Sequence, residues 1–374
     1  MSILPDLLSS WLGPIIGFIL GLIPLILLHE FGHLIMAKVM GVWAREFGIG
    51  YPPRIMKLFR WQETDFTLNW LPFGGFVRME GEAVFAEDDE EEVDPEVKEH
   101  SLYTKPPWKR VLIYLGGPMT NVLTAWLIAI LIFATGIPQF QPVITEVVPD
   151  SPAAAANLQD GDVIVAVEGT QIENPNEISE EISKYAGSPT ELTIERGGET
   201  LTITVTPREN PPEGEGAMGV MITGEEIPGE LQRFSAGEAL LFGTRYFANA
   251  TATTVMLPVY IIRMEIPFRQ ARPVGVVGIS QIAEHSVNES IEQSAAYPFL
   301  NVLLLLSISL GIFNLIPIPA LDGGRILFSV VEAIRGKRLS PELEERIHMI
   351  ALMVMVVLFV FVTILDIVMP VPLP

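Results

Sequence analysis

Cysteine is absent from the 374 residues. That excludes disulfides and thiolate metal sites, so any bound metal must rely on His, Asp or Glu. Histidine is scarce too, at five residues. Basic residues are outnumbered: 23 Lys and Arg face 45 Asp and Glu, and the net charge of −22 argues against a nucleic-acid partner. Part of the acidity is local, in "EDDEEEVD" (87–94), a pattern read as a solvated loop. The most informative absence is that of any charge over long stretches. Residues 7–28, 111–145, 293–321 and 349–365 contain no Asp, Glu, Lys or Arg. Each stretch is near or above the roughly 20 residues that cross a hydrocarbon core of about 30 Å. Four spans is the economical count, at about 9–28 (continuing to 40), 111–136, 297–316 and 348–368. The first has no basic leader and runs on past His33 through Leu34, Ile35, Met36 and Ala37, so it reads as a retained helix and not a cleaved signal.

The places without Lys and Arg set the expected orientation. Residues 1–10 and 366–374 have none, whereas 38–110 hold ten and 325–346 hold five. By the positive-inside rule the first and third connections are cytoplasmic, and both termini lie outside with the long segment 138–294. Spans one and three then run in the same direction and end at the same membrane face.

Between the spans the patterning changes. Residues 64–79 alternate at Phe66, Leu68 and Trp70, break at Pro72 and Gly74–Gly75, and resume at Phe76 and Val77; this predicts a hairpin beside the membrane. Residues 141–222 predict a small α+β domain. "NEISEEISKYA" is an amphipathic helix, and "ELTIERGGETLTITVTP" is a pair of alternating strands around Gly197–Gly198. The pattern resembles a PDZ domain of the permuted bacterial type, with Ala156-Asn157-Leu158 where Ala-Gly-Leu is usual. Residues 209–231, rich in Pro, Gly and Glu, read as a linker with one strand, "MGVMI". Residues 236–266 are apolar but interrupted by Arg245 and Asn249; an amphipathic helix on the outer face is expected in preference to the alternative, a fifth span.

The chemistry concentrates in "LILLHEFGHLIMA" (25–37). His29 and His33 are four residues apart on a helix, so both imidazoles share one face and can grip one Zn²⁺, with Glu30 close enough to take a proton from water. As surface groups they would need no explanation, but within a span each polar group costs at least ~2–3 kcal/mol, and such groups are functional by default. A catalytic zinc needs a third protein ligand. Asp322, in "NLIPIPALDGGRILF" (314–328), lies just past span three, where Pro317 and Pro319 stop the helix and Gly323–Gly324 are expected to turn the chain. The alternative role for Asp322 is a helix cap.

"HEFGH", "NWLPFGGFVRMEGE", "GGPMTNVLTA", the PDZ-like segment, "PVGVVGISQIA" and "NLIPIPALDGG" together resemble, in order, the site-2 protease family of intramembrane zinc metalloproteases, nearest to the bacterial regulator-of-sigma-E proteases. The family often has Gly-Phe-Gly-Pro where this chain has "GYPP" (50–53). The resemblance implies a Zn²⁺ cofactor, His29, His33 and Asp322 as its ligands, and Glu30 as catalytic base. It implies substrate or oxyanion contacts from Asn314, Gly74 and Gly75. It also implies single-pass membrane substrates such as anti-sigma factors, an upstream site-1-type protease, and a bacterial inner (plasma) membrane location with the PDZ-like domain extracytoplasmic.

The expected architecture is a four-helix transmembrane core with a membrane-associated β-hairpin and one PDZ-like α+β domain. Its parts are helix 1 (1–40), the hairpin region and acidic loop (41–107), helix 2 (108–138), the PDZ-like domain (141–222), linker and outer-face helix (223–294), helix 3 (295–318), the LDGG loop (319–346) and helix 4 (347–368). A non-enzymatic PDZ scaffold and a metal transporter are the rival readings. Both leave Glu30 without a hydrolytic role.

Overall fold

A computed structural model describes residues 3–81, 94–172, 175–212, 215–265 and 272–370; the acidic run 87–93 lies outside them. The chain divides into two units, Met1–Thr135 with Phe234–Pro374, and Gly136–Arg233.

In the first unit the uncharged runs form helices, since a backbone in lipid must satisfy its own hydrogen bonds. Helices α1 (Ile3–Met40) and α3 (Pro107–Thr135) follow one another, separated by a strand ribbon and the short α2 (Pro95–Glu99). Stretches Ile15–Met40, Pro107–Thr135, Tyr297–Leu315 and Arg346–Val368 are each long and apolar enough to cross a membrane. α1 and α3 cross at glycines: a Cβ on Gly32 would lie 2.3 Å from Gly116 O, and one on Gly116 would lie 2.6 Å from Gly32 O. The glycine inside "HEFGH" therefore lets α3 lie directly on the histidine-bearing face of α1.

The ribbon is built differently from the expected hairpin. β1 (Ala44–Trp61) and β2 (Thr64–Met79) are antiparallel, and the chain reverses at Gln62–Glu63. Gln62 takes φ +56°, without the Gly or Asn that usually marks such a turn. The two halves of 64–79 do not pair with each other. The strand 44–49 lies between them, with Phe47 opposite both Phe66 and Val77, and Ile49 opposite both Leu68 and Gly75. Pro72 and Gly74 thus belong to a wide passage around the end of that strand, and residues 75–79 form an edge of the sheet.

Helix α6 (Ala236–Ile262) packs along α3. Trp126 Nε1 donates to Thr244 Oγ1 at 3.0 Å, and the Phe133 ring meets Phe242 and Tyr246. Within the stretch expected to be linker, a further helix, α7 (Val276–Glu292), buries Gly278, Ser280, Ala283 and Ser286. Its small residues allow close approach to α1, where a Cβ on Gly17 would lie 2.6 Å from Ser280 O. α8 (Tyr297–Leu315), α9 (Asp322–Arg335) and α10 (Pro341–Val368) complete the unit. Arg272 pairs with the fully buried Asp366 of α10 at 2.9 Å, and Gly278 N donates to the same carboxylate.

The second unit is a sheet ordered β7-β6-β4-β3-β8, with β5 (Thr170–Gln171) on β4. Its strands are β3 (Ile137–Val147), β4 (Val163–Val167), β6 (Thr190–Arg196), β7 (Glu199–Val205) and β8 (Val220–Gln232). Helices α4 (Pro152–Ala155) and α5 (Pro175–Ser183) complete it, with Ile144, Leu158, Ile164, Ile178, Leu192 and Ile194 in the core. The unit extends beyond the expected 141–222 to Gly136–Arg233. Ile137 pairs with Gln232 across β3 and β8, so residues read as linker from their Pro, Gly and Glu content form a strand instead. Asn157 takes φ +58°, the left-handed conformation in which Asn can stand for Gly.

Candidate metal centre

Helix geometry places His29 and His33 one turn apart on α1, both buried. The loop after α8 carries the third group. Ala320 takes the left-handed turn at φ +83°, and its N–H donates to His348 Nδ1 of α10 at 3.0 Å. Gly323 and Gly324 are not the turn; they begin α9, packed so closely on the end of α8 that a Cβ on Gly323 would lie 2.2 Å from Ile316 O. Asp322 is the first residue of α9, and its side chain caps no backbone N–H there. It reaches the imidazoles instead.

Asp322 Oδ2 lies 3.0 Å from His29 Nε2 and 3.2 Å from His33 Nε2, and the two Nε2 atoms are 3.2 Å apart. Zinc bonds of about 2.0–2.2 Å in a tetrahedron imply ligand separations of roughly 3.3–3.6 Å, so this triangle is slightly tighter than one ion needs. An ionised carboxylate is the form that binds metal.

The outer partners of the imidazoles fit the same purpose. His33 Nδ1 lies 2.9 Å from the Ile113 carbonyl of α3, which can only accept, so Nδ1 carries the proton and Nε2 is left with its lone pair. His29 Nδ1 lies 3.1 Å from the Asn121 carboxamide Nδ2, while the buried Asn121 Oδ1 has no partner. With the amide turned so that Oδ1 faces the ring, Oδ1 accepts from Nδ1–H, and His29 Nε2 is then also free to ligate. Asn121→Leu is therefore expected to weaken zinc binding about 10–100-fold. Competition with a chromophoric chelator measures it, and an unchanged affinity would show that this amide does not support the site.

Gly117 closes the other side of the pair. A Cβ there would sit 2.4 Å from His33 Nε2 and 2.6 Å from His29 Nε2, so any side chain would enter the space the ligand atoms need. Sequence reasoning named neither Gly117 nor Asn121 as a site residue, although both lie in "GGPMTNVLTA", where paired glycines and an Asn interrupt a span.

Glu30, His29, His33 and Asp322 line a cavity of about 400 Å³ with Tyr51, Gly75, Phe76, Val77, Tyr114, Asn314 and Arg325. The edge segment 75–79 thus borders the triangle of His29, His33 and Asp322. Gly75 lies against the Glu30 face of α1, since a Cβ on it would come within 3.8 Å of Glu30 Cγ. Gly74 is buried beside it at φ +133°. Asn314 reaches the cavity from α8, but its amide donates to Leu310 O at 2.9 Å.

Residues 17–360 match Peptidase family M50. The chain is 30% identical over 424 residues to the zinc metalloprotease RasP of Geobacillus kaustophilus, with 94% of this chain and 97% of that one covered. It is 32% identical over 358 residues to a putative zinc metalloprotease of Clostridium perfringens, at 96% and 99% coverage. The regulator of sigma-W protease RasP of Bacillus subtilis is 27% identical over 427 residues, at 94% and 98% coverage. Among solved structures, the PDZ domain of an SdrC-like protein from Listeria monocytogenes aligns with 22% of this chain and 85% of its own, at 20% identity and a TM-score of 0.20. The chain belongs to peptidase family M50 and is a zinc metalloprotease.

Proposed function

We propose that His29, His33 and Asp322 hold the zinc of this intramembrane metalloprotease and that Glu30 is its catalytic base. The observation that carries the assignment is the convergence of two buried histidines of α1 with the carboxylate of Asp322, all within 4.8 Å, inside a cavity that also contains Glu30. A zinc ion bound there acts as a Lewis acid and lowers the pKa of a water molecule from about 15.7 toward 7. Glu30 takes the proton of the attacking water and delivers it to the leaving nitrogen. Asn121 and the Ile113 carbonyl keep the two imidazoles in the tautomer this requires. Among the described residues these three are the one cluster of at least three metal-binding side chains, so no ladder of sites continues through the other spans as transport would require.

A peptide within a helix hides its carbonyls in its own hydrogen bonds, so substrate must unwind before attack. The edge at 75–79 offers a template: an extended substrate adds as a strand there and lies along the cavity. Neighbouring N–H groups on a strand point to opposite sides, so of Phe76→Pro and Val77→Pro one removes an outward donor. That variant is expected to cleave a model single-pass transmembrane substrate about tenfold more slowly with its zinc retained. Equal rates for the parent and both zinc-loaded variants would rule out strand addition.

The remaining assignments follow from charge and kinship. The connections rich in Lys and Arg are placed in the cytoplasm of a bacterium, with the termini and the PDZ-like unit outside the plasma membrane. A relative named for regulating sigma-W points to membrane-held regulators of sigma factors as the substrate class. The PDZ-like unit would then admit segments already shortened by an upstream, site-1-type protease.

A further inference from the structure

One side chain of the ribbon enters the cavity without a part in the mechanism above. Tyr51, just before Pro52–Pro53 on β1, lines it together with Glu30, Gly75 and Phe76. Its ring stacks on that of Phe76, with centroids 6.2 Å apart and planes inclined by 15°. The side chains of Tyr51 and Glu30 both lie against the backbone at Gly74 and Gly75. A Cβ on Gly74 would lie 3.5 Å from Tyr51 Cε2, and one on Gly75 would lie 3.8 Å from Glu30 Cγ. A substrate strand laid along 75–79 therefore has a carboxylate and a phenol at the same short stretch of its backbone.

The phenol is suited to donate. Burial, and after it the negative charge of Glu30, pushes the Tyr51 hydroxyl above its ordinary pKa, so it keeps its proton at neutral pH. Two other side chains of the cavity have contacts of their own. The Asn314 amide donates to Leu310 O, and the Arg325 guanidinium lies over the Tyr114 ring at 5.6 Å.

We propose that Tyr51 is a catalytic residue whose hydroxyl donates a hydrogen bond to the oxyanion that forms on the scissile carbonyl. This rests on Glu30 being the base. The water oxygen bonds to the carbonyl carbon, its proton passes to Glu30 and then to the leaving nitrogen, and the C–N bond breaks. Tyr51 keeps its own proton throughout and lowers the barrier because the oxyanion accepts more strongly than the ground-state carbonyl.

The test uses the full-length, zinc-loaded protein in liposomes and a synthetic single-pass segment carrying a fluorophore pair. Tyr51→Phe preserves the ring and its stack on Phe76. It is expected to lower kcat about 100-fold, the usual loss for one oxyanion donor, with KM within about threefold and zinc content unchanged. Affinity for a phosphinic peptide, a tetrahedral mimic, should fall by a similar factor. An unchanged kcat, a loss confined to KM, or loss of zinc would each overturn the proposal. A readout apart from turnover uses metal-free protein isotopically labelled at tyrosine Cζ. The resonance missing from Tyr51→Phe should shift in Glu30→Gln, and if it does not move the proposal fails even if the parent enzyme proves inactive. An inactive parent, by contrast, would count against the proposed function itself.

Discussion

Glu30→Gln is expected to bind zinc like the parent and to cleave a transmembrane substrate about 10²–10⁴-fold more slowly, the range attributed to general acid–base catalysis. Gln has the shape of Glu but cannot accept the water's proton. Glu30 is also outside the triangle of ligand atoms, which is made by His29, His33 and Asp322 alone. Metal content and kcat are therefore expected to separate in this variant. Measuring both on one preparation decides the point: activity within about tenfold of the parent would remove Glu30 from the role of base.

Asp322→Asn and His33→Ala should show the opposite pattern, losing zinc and with it all turnover. Asp322 Oδ2 lies against both imidazoles, and the carboxylate is the only charge the protein supplies to the triangle. Asn keeps the volume and removes that charge, leaving two neutral ligands where a catalytic zinc needs three protein groups. His33→Ala removes one corner and also frees the Ile113 carbonyl that orients the ring. The loss of affinity should exceed the roughly 10–100-fold typical of outer partners, so dialysed protein should hold little metal. Elemental analysis after dialysis checks this, and full zinc occupancy in Asp322→Asn would show that the third ligand lies elsewhere.

How far the sequence reveals these features depends on how local each signal is. The spans are legible because a run without charge is a one-dimensional property. His29 and His33 are legible because helical spacing alone puts them on one face. Asp322 could be picked out because the charge pattern predicts that the span before it runs in the same direction as the first, which would bring distant residues to one membrane face. Asn121 and Gly117 depend on how closely α3 approaches α1, and that approach is set by Gly32 against Gly116, 84 positions apart. Periodicity does not report such contacts.

The ribbon shows the same limit in another form. Pro72 and Gly74–Gly75 have the composition of a tight turn, but the reversal occurs at Gln62–Glu63, and 44–49 separates the two halves of 64–79. The pairing of a strand with two partners is a tertiary fact that alternation cannot distinguish from a simple hairpin. "MGVMI" marks the start of β8, but its continuation to Gln232 is hidden by Pro, Gly and Glu for a related reason, since its strand character comes from pairing with β3 some 80 positions away. At Asp322 a local rule would mislead outright: a carboxylate at a helix start is ordinarily a cap, and here the metal-binding triangle takes it instead.

The central claim is that one zinc ion, held by His29, His33 and Asp322, makes this chain a peptidase for transmembrane segments. Stripping the purified parent of metal, placing it in liposomes with a single-pass substrate, and adding back one equivalent of zinc tests it in a single measurement. No cleavage is expected before addition, and afterwards a product cut within or beside the substrate's transmembrane segment. Cleavage at the same rate in the stripped protein, or none once zinc is bound, would contradict it.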